Sequence, residues 1–164
     1  MRVFIAGASG LVGGNCLKHF TEQGWEVKGS YFSFEVPGTV YYNTLDTEDP
    51  NNFDIAGFKP DVIVHCGAMT HVDNCETQQD ESYRQTVQST INLVQVAKNC
   101  GARFVYLSTD YVFDGTDGPY REEDKVNPLS VYGTHKLEAE QYALKEIPGT
   151  LVLRVTNIYG NEVR

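Results

Sequence analysis

The sequence predicts a doubly wound α/β fold, a parallel sheet with helices on both faces, in one domain covering residues 1–164. Two observations carry this prediction. Short β-branched runs alternate with stretches of helical periodicity along the chain, the pattern of repeated strand–helix–strand units. A glycine-rich turn, Gly7-Ala8-Ser9-Gly10-Leu11-Val12-Gly13, falls where the first strand meets the first helix. The length of 164 residues suits a single hydrophobic core.

The elements follow in order. Arg2 to Ala6 is an apolar run stopped by Gly7, a buried strand. From Leu11 to Gln23, Val12, Cys16 and Phe20 recur every four residues and share a helix face, and Gly24 ends that helix. Trp25 to Tyr31 reads as a second strand and Thr39 to Asn43 as a short third. Asp49-Pro50 is expected to open a short helix with Asp49 as its cap. Asp61 to Cys66 is the next buried strand. A long helix is expected over Glu81 to Asn99, with Tyr83, Val87, Ile91 and Val94 facing inward and Cys100-Gly101 closing it. Ala102 to Ser108 is a strand, and Asp114 to Asn127 a polar loop. Pro128 and Ser130 introduce a helix to Lys145, and Gly149 to Val155 is the last strand.

Composition excludes several functions. A net charge of −9 argues against binding nucleic acid through its phosphates. No apolar stretch is long enough to span a membrane, and the N-terminus reaches glycine too soon for a signal peptide, so a cytoplasmic protein is expected. Cys16, Cys66, Cys75 and Cys100 form no C-x-x-C pair and no zinc-ligand spacing with the histidines, so reduced structural thiols are expected. Cys66 ends a strand. Asp73, Glu76 and Asp80 sit at a polar helix start, where acids favour the dipole, and no metal site is expected from them. Glu122, Glu123 and Asp124 read as a solvated loop face.

The glycine-rich turn has a physical reading. A chain that turns sharply from strand to helix, admits a pyrophosphate to its backbone and packs the helix closely requires glycine, and the helix N-terminus offers free N–H groups to the phosphates. Gly7, Ser9, Gly10, Leu11, Val12 and Gly13 are therefore candidate cofactor-binding residues. The end of the second strand, Lys28-Gly29-Ser30-Tyr31, carries no acid to bind a ribose 2′-hydroxyl and no arginine to clamp a 2′-phosphate. Ser30 and Lys28 tilt the expectation toward NADPH, with NADH allowed. Further on, Tyr132 and Lys136 are one helical turn apart. A lysine ammonium beside a phenol lowers its pKa and makes it a proton donor for a carbonyl being reduced. Ser108 and Thr109, at the carboxyl end of a strand, offer hydroxyls to the substrate oxygen. His71 and His135 are near enough in sequence to reach a cleft, but the helix turns His135 away from the Tyr132–Lys136 face.

Gly7 to Gly13 with Tyr132 and Lys136 resembles the extended short-chain dehydrogenase/reductases, which have the Rossmann fold. Leu107-Ser108-Thr109-Asp110-Tyr111-Val112-Phe113-Asp114-Gly115 is similar to the dTDP-dehydrorhamnose reductase family. Asn127 to Gly133, Lys136-Leu137-Glu138, His65-Cys66-Gly67-Ala68, Val72-Asp73 and Glu76 continue that match. The resemblance implies reduction of a keto-deoxysugar nucleotide by hydride transfer from nicotinamide. It implies Tyr132 as proton donor, Lys136 as its helper and Thr109 as the hydroxyl that polarises the carbonyl. It further implies Gly7, Gly10 and Gly13 at the pyrophosphate, Asp46 facing the adenine side, and Gly67 and Ala68 at the central ribose and phosphates.

Members of that family are nearly twice as long, so the C-terminal substrate lobe is expected to be absent from this chain. Its absence would expose apolar surface near Val152 to Ile158 and promote association, a homodimer being allowed. Asn157 stands where rhamnose-forming reductases tend to have tryptophan, and Gln88 where relatives often have asparagine. An epimerase or dehydratase is therefore a rival reading, as is a non-catalytic subunit similar to the regulatory subunit of methionine adenosyltransferase.

Overall fold

The first strand, β1 (Arg2–Ala6), buries Val3, Phe4, Ile5 and Ala6 in succession, so both of its faces must be covered. The computed structural model describes residues 1–161 and puts this strand in the middle of the sheet. Residues 162–164 of the expected domain lie outside the described residues. The remaining strands are β2 (Glu26–Tyr31), β3 (Thr39–Tyr41), β4 (Val62–His65), β5 (Arg103–Thr109) and β6 (Leu151–Val155). All pair in parallel, in the order β3-β2-β1-β4-β5-β6. The order reverses between β1 and β4, and a sheet wound this way opens a crevice at the carboxyl ends of its strands.

Helix α1 (Leu11–Glu22) covers one face, packing Cys16, Leu17 and Phe20 against Val3, Ile5 and Ala8. On the other face lie α2 (Ile55–Phe58), α5 (Ser89–Cys100) and α6 (Val131–Glu146). Leu93, Val94 and Ala97 of α5 and Ala139 and Ala143 of α6 enclose Phe4, Ile63, Phe104 and Tyr106 there. Phe4 and Phe104 are almost wholly removed from water, and each such burial stabilises by on the order of 1.5–3 kcal/mol. Ser130 caps α6 by accepting from the Gly133 N–H at 3.0 Å.

Two expected helices form differently. Asp49-Pro50 is a turn, in which the Asp49 carboxylate accepts from the Asn51 N–H. Helix α2 begins after Asp54, whose carboxylate takes the Gly57 N–H at 2.8 Å. The helix expected over Glu81 to Asn99 is three pieces: α4 (Gln79–Tyr83), a π-helical turn at Arg84–Gln88, and α5. It is preceded by the short α3 (Val72–Thr77). The wide turn is supported by hydroxyls. Ser89 donates to the Gln85 carbonyl and Thr90 to the Thr86 carbonyl, each at 2.6 Å. The extra residue rotates the upstream face outward. Val87 and Val94 are buried as expected, whereas Tyr83 is 37 % exposed and Leu93 rather than Ile91 is fully buried. Leu151, Leu153 and Ile158 are exposed, so the apolar surface expected around Val152 to Ile158 is present.

Two glycines fix how α1 meets β1. Gly7 has φ +85°, in the left-handed region. A Cβ on Gly13 would lie 2.3 Å from the Gly7 carbonyl oxygen, backbone that cannot swing aside. A Cβ on Gly10 would meet nothing closer than 3.5 Å. Gly13→Ala is therefore expected to cost about 2–3 kcal/mol by overpacking, and Gly10→Ala under about 1 kcal/mol through a weaker N-cap. Thermal unfolding of the two variants checks this: Gly13→Ala should melt roughly 5–10 °C below Gly10→Ala, and equal melting temperatures would contradict the close approach.

Candidate active site

Two contiguous cavities run along the carboxyl edge of the sheet. One, of about 280 Å³, lies over the ends of β2 and β3; the other, of about 550 Å³, lies over the ends of β1, β4, β5 and β6. They share Gly7, Ser9, Gly67 and Ala68, so they form one elongated groove across the reversal between β1 and β4. A long ligand with two distinct ends suits such a groove.

The groove's floor at its midpoint is backbone. Gly7 approaches the backbone of Gly67 so closely that a Cβ on Gly7 would lie 2.9 Å from the Gly67 nitrogen. Helix α1 starts at this point with Gly10 as its N-cap, no side-chain cap and no acid in its first turn. Its leading N–H groups and positive dipole end are thus free for an anion. The chain fits a dinucleotide here by that uncapped terminus. The Ser108 hydroxyl and His65 Nδ1, both buried with no hydrogen-bond partner among the described residues, belong to groove-lining residues as well.

Most of the predicted site residues come together. Gly7, Ser9, Gly10, Leu11, Val12, Gly13, Gly67, Ala68, Ser108, Thr109, Tyr132 and Lys136 line the larger cavity, and Ser30 lines the smaller. Asp46 lines neither. It is exposed, and its carboxylate accepts from the Glu48 N–H; Asn43, Thr44 and Leu45 form that wall instead. Sequence reasoning also missed Thr70, Val155 and Thr156 in the larger cavity and the loop Tyr31 to Phe34, Glu81 and Gln85 in the smaller. Several of these follow the carboxyl end of a strand, which is the signal that would have found them.

Helix α6 and β5 position the reactive groups. Gly133 lets the first turn of α6 sit against the Tyr111 carbonyl, from which a Cβ would be 2.3 Å away. Tyr132 then packs edge-on to Tyr111 with ring centres 5.7 Å apart. Burial raises the Tyr132 pKa, and the nearby Thr109 side chain opposes the rise. Thr109 Oγ1 also accepts from the Tyr111 N–H and donates to Asp110, each at 3.2 Å. The expected stabilisation of a tyrosinate by Lys136 is not what holds the phenol here. Lys136 does share a face with Tyr132, but its stem runs into the sheet. Its ammonium donates to the Leu107 carbonyl at 2.5 Å and lies 4.3 Å above the Tyr106 ring. With 4 % of its surface exposed and no carboxylate in contact, Lys136 is held by burial to a pKa of about 7.

Neighbouring groups have structural work. His65, buried beneath the groove, is kept neutral by burial and then by Lys136, its pKa lowered to about 3. Burial pushes the Cys66 thiol up to about 12, which makes it unreactive despite lining the groove. His71 caps α3, and His135 pairs with Ser82 at 2.9 Å, so neither is aimed at the reacting centre. Glu76 accepts from the Val131 N–H at 2.7 Å, tying α3 to α6. Among the described residues no group of three or more His, Cys, Asp or Glu side chains is arranged to hold a metal. Asp114 gathers Thr116, Tyr120 and Asn127 around its carboxylate, which lowers its pKa and organises the loop beside Tyr111.

The Lys136 environment has a consequence for stability. The folded chain gives up this proton near pH 7, whereas the unfolded chain keeps it to about pH 10.4. Between those values the unfolded state binds more protons, so this group's contribution to folding grows more favourable as pH rises. Lys136→Met is expected to stabilise the fold at pH 7 by about 1 kcal/mol or more, a rise of roughly 2–4 °C in Tm. The gain should shrink toward pH 10. Melting curves at both pH values check this, and a variant less stable than the parent at pH 7 would contradict it.

Comparison with known proteins places this groove in a family. A family model described as "RmlD substrate binding domain" matches residues 1–164. The chain is 41 % identical to methionine adenosyltransferase 2 subunit beta of Bos taurus over 163 residues, covering 99 % of the chain and 48 % of the relative. It thus spans about half the length of that relative. Among solved structures, a hypothetical dTDP-4-dehydrorhamnose reductase from Sulfolobus tokodaii superposes with a TM-score of 0.85 at 35 % identity, over 98 % of this chain and 57 % of that one. MoeE5 in complex with UDP-glucose and NAD gives 0.86 at 26 % identity, over 100 % and 57 %. A dTDP-4-dehydrorhamnose reductase from Bacillus anthracis in complex with NADP gives 0.79 at 25 %, over 98 % and 56 %. No helix among the described residues is long and apolar enough to cross a membrane. The chain belongs to the RmlD substrate-binding-domain family, with the Rossmann fold that its sequence predicts.

Proposed function

We propose that the chain carries the cofactor site and the catalytic residues of a nicotinamide-dependent reductase acting on a keto-deoxysugar nucleotide. The observation that carries this reading is the meeting of Thr109, Tyr132 and Lys136 with the open N-terminus of α1 in one cavity. The N–H groups of α1 and the glycines Gly7, Gly10 and Gly13 bind the pyrophosphate, Gly67 and Ala68 the central ribose and phosphates, and Ser30 the adenosine end. When bound, the dinucleotide supplies the hydride for the carbonyl carbon. Tyr132 gives its phenolic proton to the carbonyl oxygen as the alkoxide develops, and a raised pKa keeps that proton in place until it is needed. Thr109, which lines the same cavity as Tyr132, offers its hydroxyl to the same oxygen. Lys136 holds the nicotinamide-side ribose with its ammonium.

A second reading has specific support. The 41 % identity to a methionine adenosyltransferase β subunit favours a regulatory partner. The two readings separate on one variant. In the full-length protein supplied with a keto-deoxysugar nucleotide and NAD(P)H, Tyr132→Phe is expected to reduce turnover by at least about 100-fold while leaving dinucleotide affinity unchanged. Turnover equal to the parent's would overturn the catalytic assignment. Absence of turnover in the parent, with co-purification of a larger synthetase subunit, would favour the partner reading.

A further inference from the structure

We infer that the adenosine half of the groove selects a dinucleotide with a free 2′-hydroxyl, so that the protein takes NADH in preference to NADPH, with Ser33 as the residue that sets the choice. The inference rests on the reductase reading's assignment of the groove to a nicotinamide dinucleotide. In a sheet of this order the adenosine ribose meets the loop that follows β2, where an acid serves a 2′-hydroxyl or an arginine a 2′-phosphate. Here that loop is Phe32-Ser33-Phe34, and all three residues line the smaller cavity.

Charge decides against the phosphate. Among the described residues no lysine or arginine lines this cavity, and its one carboxylate is Glu81. Lys28, from which the sequence drew a lean to NADPH, does not line it; the residue sits within β2, in register with Phe4 of β1. A 2′-phosphate carries nearly two negative charges, and here no cationic side chain lines the cavity to receive it, in a protein whose net charge is already −9. The positive end of α1 lies at the midpoint of the groove, where it serves the pyrophosphate. A neutral 2′-hydroxyl needs less, and the hydroxyls of Ser30 and Ser33 supply it.

The same loop suits the base. Phe32 and Phe34 are 54 % and 70 % exposed yet line the cavity, so they present apolar ring surface to whatever enters it. Phe32 is backed by Tyr41, ring centres 6.2 Å apart. A purine ring covers such surface well.

Titration of the protein with NADH and with NADPH, by nicotinamide fluorescence or calorimetry at one ionic strength, tests the choice. NADH is expected to bind at least tenfold tighter. Ser33→Arg is expected to tighten NADPH at least tenfold and to change NADH by less than about threefold, a gain that misfolding cannot produce. NADPH binding as tightly as NADH or tighter would overturn the inference and leave the reductase reading standing. Unchanged NADPH affinity in Ser33→Arg would remove Ser33 from its assigned role. Failure of both dinucleotides to bind the folded parent protein would overturn the inference together with the cofactor-site reading.

Discussion

The contact on which the rest of this structure depends is between backbone and backbone. The first turn of α1 lies so close to the turn after β1 that no side chain fits at Gly13, and Gly7 must adopt a left-handed conformation against Gly67. That closeness aims the uncapped end of α1 at the carboxyl edge of β1 and β4. A capping serine or aspartate at position 10 would satisfy the same N–H groups from within and remove the anion site. The fold therefore leaves this helix end unsatisfied by side chains, while α2, α3 and α6 are closed by Asp54, His71 and Ser130.

The second organising feature is the unequal treatment of two buried charges one turn apart on α6. Glu140, 2 % exposed, is held by both arms of the Arg154 guanidinium. Arg154 also packs over Phe113 and donates to the Glu122 carbonyl, so one ion pair ties β6, α6 and the loop beside Tyr111 together. Removing either partner would leave an uncompensated buried charge. Lys136 receives a single carbonyl and an aromatic face. The structure thus neutralises the carboxylate that braces the site and leaves the amine that faces the groove without a counter-ion.

How much of this was legible in the sequence depended on range. The strands, the glycine turn and the shared face of Tyr132 and Lys136 were readable because period, turn chemistry and one-turn spacing are local, whereas the choice of Thr109 over Ser108 came from resemblance. The π turn at Arg84–Gln88 was not, because an apolar period runs through it unbroken, and the hydroxyls of Ser89 and Thr90 that support it look like ordinary helix residues. The cap of α2 was misplaced because Asp49-Pro50 and Asp54 carry the same local signal, and tertiary packing of Ile55 chooses between them. Asp46 was assigned by resemblance and lies outside both cavities, its exposed carboxylate accepting from the Glu48 N–H. The pairing of Lys136 with Leu107 and Tyr106, rather than with the Tyr132 phenol, required knowing that β5 runs beneath α6.

Both functional readings of this family must account for Lys136. A buried amine without a counter-ion is a standing cost, and a methionine or leucine of similar volume would fill the space without it. A role confined to holding a partner protein gives no reason to bear that cost at the floor of a groove. Nor does it explain a hydroxyl at Thr109 and a phenol at Tyr132 lining the same cavity. Proton transfer at a carbonyl gives a reason for all three. On the proposed reading the amine would gain its partners from a dinucleotide ribose, the phenol would hold its proton in a buried setting, and the threonine would offer its hydroxyl to the carbonyl oxygen. The energetic disadvantage at Lys136 is thus itself an argument for the reductase over the partner, and it stands on the chemistry of this chain rather than on the names of its relatives.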